Sequence, residues 1–213
     1  MKFVQPIKDI NQINQIRSAL LEQNHGGHGL RNYMLFQLGI YSGYRISDIV
    51  NLKVSDIKKV LENGYFEIKE NKTSKNRKVK IHPKFKIELQ DYINNFKNMP
   101  DNSYIFPSQK YKSYVEVKKD KKYIKIKNTA INSPIDRKQA WQIFKNAVDK
   151  IKLNFSIGTH GARKTFAYNL YIMSNKDIVL VQRILGHSSP DITASYIGIT
   201  QDNIDELVCS LSY

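Results

Sequence analysis

Apolar positions recur at helical spacing along most of this chain. In "DINQINQIRSALL" they fall at Ile10, Ile13, Ile16 and Leu20, with Asp9 placed to cap the helix they predict. "LRNYMLFQLGIYSG" is apolar almost throughout, which predicts a buried helix ending at Gly43, followed from Arg45 by a short helical stretch, "ISDIVNL". Between the first two helices "NHGGHG" breaks the pattern. Its His25 and His28 flank two glycines with no further ligand nearby, so a turn is expected there rather than a metal site. Strand signals then take over: "IKKVLE", "YFEIKE" and "RKVKIH", joined by "NG" and "NKTSKN", predict a three-stranded antiparallel meander.

Helical spacing returns with Phe85, Leu89, Tyr92, Ile93 and Phe96 on one face of "KFKIELQDYINNF". It lapses over about residues 108–135, where Tyr, Val and Ile alternate with Lys in "KYKSYVEVKKDKKYIKIK". This predicts a basic hairpin, readable equally as a DNA-contacting flap or as a solvated ribbon. From Asp136 onward the chain is helical. Ala140, Ile143, Phe144, Ala147, Val148 and Ile151 share a face, "THGARKTFAYNLYIM" follows with Thr159 as its expected cap, and "KDIVLVQRILG" ends at Gly186. Ser189 followed by Pro190 opens a short helix with Tyr196 near its end. A tail helix over about 202–211 would carry Ile204, Leu207, Val208 and Leu211 on one face; being too short to stand alone in water, it must dock somewhere. The expectation is a single domain over 1–213, mainly α with a small three-stranded antiparallel β-sheet.

Charge sharpens this picture. The chain carries 34 Lys and Arg against 19 Asp and Glu, a net charge of +15. A Lys- and Asn-rich codon bias would enrich acids as well, so the imbalance points to a polyanionic partner, nucleic acid ahead of an anionic membrane surface. No apolar run approaches membrane-spanning length, and "MKFVQPIKD" lacks a signal peptide's apolar stretch. The single cysteine, Cys209, suits a reducing cytoplasm, with nucleoid association expected when DNA is bound. Arginine is scarce beside lysine, which draws attention to Arg45 in "SGYRISD" and Arg163 in "THGARKTF". Asp48, three residues after Arg45, is its expected anionic partner.

His160 and Arg163 lie three apart on one helical face, and His187 closes the next helix as "LGH". With Arg45, Lys72 and Tyr196 they form a set suited to moving a phosphodiester onto a tyrosine. Two guanidinium forks suit the extra negative charge of a pentacoordinate transition state. The phenol must lose a proton and the leaving 5′-oxygen must gain one, tasks for a histidine and a lysine. No Asp/Glu cluster of the two-metal kind is visible, so neither metal nor cofactor is expected.

"LGIYSGYRISDIVNLKVSDI", "NKTSKNRKVKIHP", "THGARKTFAYNL" and "LGHSSPDITASYIGI" together resemble the tyrosine recombinase (phage integrase) family, from about residue 30 to the C-terminus. The resemblance implies that family's catalytic-domain fold. It also implies that Arg45 and Arg163 clamp the scissile phosphate and that His160 and His187 hydrogen-bond it, His160 also assisting proton transfer. Lys72 would be the general acid, chosen over Lys75 by its spacing to the following strand, and Tyr196 the nucleophile, with Asp48 supporting Arg45. Lys75, Arg77 and Lys164 are further expected DNA contacts. A site-specific recombinase acting through a 3′-phosphotyrosyl intermediate and a Holliday junction follows. So does a tetramer on double-stranded DNA carrying specific sites, with the tail helix docked on a neighbouring protomer and an accessory DNA-bending protein possible. Only about thirty residues precede the motifs, as in the short recombinases that invert promoter segments or in a catalytic fragment of a larger one. The rival expectations are a type IB topoisomerase and a non-catalytic DNA-binding protein on the same fold.

Overall fold

The computed structural model describes residues 4–23, 28–70, 76–108, 133–153, 157–199 and 208–212, with the backbone alone of 114–119 and 122–127. Helix α1 (Ile10–Leu21) opens on Asp9, whose carboxylate accepts from Asn11 N at 2.8 Å, and buries Ile13, Ile16 and Leu20. Helix α2 (Gly29–Ser42) is the central element, packed by α1, by α5 (Pro83–Asn94) and by α7 (Gly161–Met173). Two glycines set its geometry. Gly39 lets α2 and α7 approach so closely that a Cβ there would lie 2.6 Å from that of Ala162. Gly43 ends α2 at φ 62°, and a Cβ on it would sit 2.1 Å from the Phe166 ring.

After the one-turn α3 (Ile46–Ile49) comes α4 (Val54–Asn63), and here the sequence expectation fails. Residues 57–62, expected as a first strand, are helical. Val54, Ile57 and Val60 recur every three residues and are all buried, while Asp56 caps the turn by accepting from Lys53 N at 2.9 Å. Gly64, at φ 76°, then ends the helix. Among the described residues the sheet is therefore two-stranded: β1 (Tyr65–Lys69) pairs antiparallel with β2 (Asn76–Lys80), Phe66 opposite Val79 and Ile68 opposite Arg77. Tyr44 fastens this pair to the end of α2. Its hydroxyl bonds to Arg77 O at 2.7 Å and Phe66 O at 3.2 Å, and burial pushes its pKa up to about 12, so it remains a donor.

The basic segment does form a hairpin, β3 (Tyr114–Lys119) with β4 (Lys122–Lys127), in a register that pairs Val117 with Ile124. Helix α6 (Arg137–Lys150) is capped by Asp136 and buries Ala140, Ile143, Phe144, Ala147 and Val148. Helix α7 starts one residue later than expected. Its N-cap is His160 rather than Thr159, whose side chain is buried instead. Asp177 caps α8 (Ile178–Leu185) and Ser189 caps α9 (Pro190–Ile197). Two apolar clusters result. The larger joins α1 through α6; a smaller one of Phe166, Ala167, Val181, Leu185 and Ile197 locks α7, α8 and α9 together. Val208 and Leu211 of the expected tail helix are exposed, and the rest of its expected apolar face, Ile204 and Leu207, lies outside the described residues. None of the helices described is long and apolar enough to cross a membrane.

Candidate active site

The small cluster brings the ends of α7, α8 and α9 to one place, beside the turn between α2 and α3. From these four points come His160, Arg163, His187, Tyr196 and Arg45. Tyr196 sits on the last turn of α9, half-buried, with its hydroxyl 3.4 Å from His160 Nδ1 and the Arg163 guanidinium beside it. The His187 ring meets the tyrosine ring edge-on, centroids 5.0 Å apart, and Lys164 Nζ lies 5.2 Å over the same ring. The phenol is thus fixed by its ring and free to react at its oxygen.

Arg163, 2% exposed, is held at both terminal nitrogens. Nη1 donates to Gly43 O at 2.7 Å and to Glu70 Oε1 at 3.2 Å, and Nη2 donates to Leu185 O at 2.9 Å. Arg45, at the N-cap of α3, pairs with the other oxygen of the same carboxylate. Arg77 completes the group from β2: its Nη1 lies 3.1 Å from Glu70 Oε1, and its guanidinium stacks 4.7 Å over Tyr44. Three guanidiniums therefore converge on Glu70, itself 2% exposed.

This concentration of positive charge governs the titrations. Burial raises the Tyr196 pKa, Arg163 and Arg45 oppose the rise, and the phenol stays protonated at neutral pH. Partial desolvation and then the guanidiniums of Arg137, Arg163 and Arg45 hold His160 below its usual value, which leaves it neutral and able to accept a proton. His187 is pushed down to about 4, by desolvation first and then by Arg163 and Arg45, and its Nδ1 lies 3.0 Å from the fully buried Thr193 hydroxyl. A histidine whose folded pKa falls below its unfolded value binds its proton more readily when unfolded. His187 therefore favours the fold fully above about pH 6.5, and that contribution is lost as pH drops toward about 4. We expect His187→Gln to reduce the loss of urea midpoint between about pH 7 and about pH 5 relative to wild type; an unchanged loss would place the pH sensitivity elsewhere.

The structure thus gathers Arg45, His160, Arg163, His187 and Tyr196. Lys72 and Lys75 lie outside the described residues. Asp48 is buried on α3, but the ion pair recorded for Arg45 is with Glu70, which the sequence reading overlooked. One signal was available: Phe66, Ile68 and Glu70 share a strand parity, so a carboxylate was aligned with the inward face. Arg77, expected on DNA, is 7% exposed and turned into this group; Lys164 is 9% exposed beneath Tyr196. Thr193 and Arg137 were also unforeseen neighbours of the two histidines.

Residues 8–202 match the phage integrase family. Over 202 residues the chain is 38% identical to a probable integrase/recombinase, YoeC, of Bacillus subtilis (strain 168), covering 95% of this chain and 93% of YoeC. It is 26% identical to the tyrosine recombinase XerA of Pyrococcus horikoshii over 84% of this chain, but only 54% of that protein's length. Among solved structures it is similar to a XerA recombinase, with TM-score 0.68 at 21% identity over 98% of this chain and 67% of that one. A XerH site-specific recombinase bound to a palindromic difH substrate in a post-cleavage complex gives TM-score 0.69 at 21% identity, over 99% of this chain and 53% of that one.

Proposed function

Because the chain belongs to the phage integrase family, we propose that it is a tyrosine-type site-specific recombinase that cuts and rejoins double-stranded DNA. The observation carrying this reading is the Tyr196 hydroxyl held between His160 and Arg163, with Arg45 and His187 close by.

In the proposed step, Tyr196 Oη attacks the scissile phosphorus and forms a 3′-phosphotyrosyl bond while the bond from phosphorus to the 5′-oxygen breaks. The phenol proton passes toward neutral His160, and Lys72 protonates the departing oxygen. Arg45 and Arg163 meet the charge gathering on the non-bridging oxygens, helped by a hydrogen bond from His187. Side chains supply every charge and proton in this scheme, so no metal is required. Attack by a second DNA strand reverses the chemistry and passes through a Holliday junction. Two DNA sites and four protomers would be needed, with an accessory DNA-bending protein an option at some sites.

The tail helix would dock on a neighbouring protomer. An apolar cavity of about 760 Å³ lined by Ile40, Tyr41, Val79, Phe166, Leu170 and Met173 offers a seat for it. Removing residues 202–213 is expected to leave binding to one site intact and to abolish higher assemblies on two-site DNA; normal assembly by gel shift would contradict this.

The test of the function is covalent capture. Genomic DNA fragments from the source organism are incubated with the protein in EDTA and quenched with detergent. The expected result is a protein–DNA adduct mapping to the Tyr196 peptide. Sequencing the trapped DNA would reveal the site. Salt-sensitive binding without any adduct, even on nicked substrates, would favour a DNA-binding protein instead.

A further inference from the structure

Glu70 has no place in the chemistry outlined above, yet among the described residues it is the carboxylate with the most ion pairs. It directly follows β1 and precedes Lys72 by two positions in the sequence. Each of three arginines offers it one terminal nitrogen: Arg77 and Arg163 share Oε1, and Arg45 takes Oε2. The side chains involved are 1% exposed for Glu70, 2% for Arg163, 6% for Arg77 and 17% for Arg45. A buried ionic group of this kind is a poor stabiliser; well-packed apolar side chains of similar volume often do as well or better. Its composition is better explained by what it leaves available.

We propose that Glu70 is a positioning residue for strand cleavage, an inference that rests on the recombinase reading of this site. It binds the clamping arginines from behind, by one nitrogen each, and fixes where the rest of each fork points. It also sets the charge of the pocket. Three guanidiniums and one carboxylate leave two net positive charges. A phosphodiester gains negative charge as it becomes pentacoordinate, so a cluster that keeps a positive surplus favours the transition state over the bound substrate. Arg77 has a part in this. Stacked on Tyr44 and bonded to Gly43 O at 3.3 Å, it supplies a third cation that holds Glu70 in place.

The isosteric Glu70→Gln separates this role from simple structural support. Its rate of adduct formation with genomic DNA fragments in EDTA is compared with wild type. Affinity for a short mixed-sequence duplex is measured across a salt series, and thermal unfolding is recorded. The proposal predicts an adduct rate lower by about 100-fold, as for loss of one transition-state donor. Duplex affinity should hold or rise, with a salt slope at least as steep, because a negative charge has gone. If Glu70→Gln does not fold, Glu70→Asp, which keeps the charge on a shorter stem, should show the same split between slow cleavage and intact binding. Cleavage at the wild-type rate overturns the proposal. So does a loss of cleavage and binding in step with a lowered melting temperature. A wild-type protein that forms no adduct overturns the recombinase reading itself, and this inference with it.

Discussion

A Tyr196→Phe protein is expected to bind DNA as wild type does and to form no covalent adduct with it. The substitution removes one oxygen and leaves the ring, and the ring makes the packing contacts: His187 edge-on at 5.0 Å and Lys164 above its face at 5.2 Å. The lost hydroxyl touches His160 at 3.4 Å and lies beside the Arg163 guanidinium, contacts whose removal should change stability by no more than about 1 kcal/mol. Binding should persist because the phosphate-facing cations are untouched. A gel-shift titration beside a detergent-quenched adduct assay reads both halves. Residual adduct in the mutant would mean another nucleophile; loss of binding would mean that Tyr196 does more than attack.

Arg163→Lys is expected to cost both rate and stability, although the charge is kept. The guanidinium reaches Gly43 O, Glu70 Oε1 and Leu185 O at once, joining the end of α2, the end of β1 and the end of α8. An ammonium is a point charge and cannot span three acceptors set by a planar fork. Buried acceptors left unpaired should lower stability by about 2–4 kcal/mol, read as a shift in urea midpoint. Cleavage should slow by about 100- to 1,000-fold in single-turnover assays on a nicked duplex carrying the captured site. Those assays belong at a temperature where the variant is fully folded. A rate near wild type would show that charge alone suffices and that the fork geometry is incidental.

The contrast between these two variants reflects how the site is built. Tyr196 is held by its ring, and in the proposed step only its oxygen reacts, so chemistry and packing would separate cleanly. Arg163 would perform both tasks with the same atoms. Glu70 lies at the point where they meet, and its substitution is therefore the most informative about why the arginines are buried.

Much of this molecule was legible in the amino-acid sequence. The 3.6-residue spacing of apolar side chains located α1, α5 and α6, because each must bury one stripe, and an almost unbroken apolar run located α2. Capping chemistry set the start of α1 at Asp9 and of α9 at Ser189. The spacing of Arg45, His160, Arg163, His187 and Tyr196 singled out those residues before any contact between them was visible. Local rules were weaker at short segments. Residues 57–62 suit a strand or a helix, and the buried positions of Val54, Ile57 and Val60 against α5 and β1 decided for helix.

Only the tertiary structure identified Glu70 as the partner of Arg45 and Arg163. Asp48 is three residues from Arg45, and sequence distance favoured it; Glu70 is close only because Tyr44 draws the β1–β2 pair against the end of α2. An ion pair depends on separation in space, and in a low-dielectric interior that dependence is steep. The sequence by itself determined most of the helices and which side chains are suited to the proposed chemistry, since periodicity, capping and residue type are local properties. The fold alone decided that three arginines share one carboxylate, because residues from β1, β2, α7 and the α2–α3 turn become neighbours only after packing.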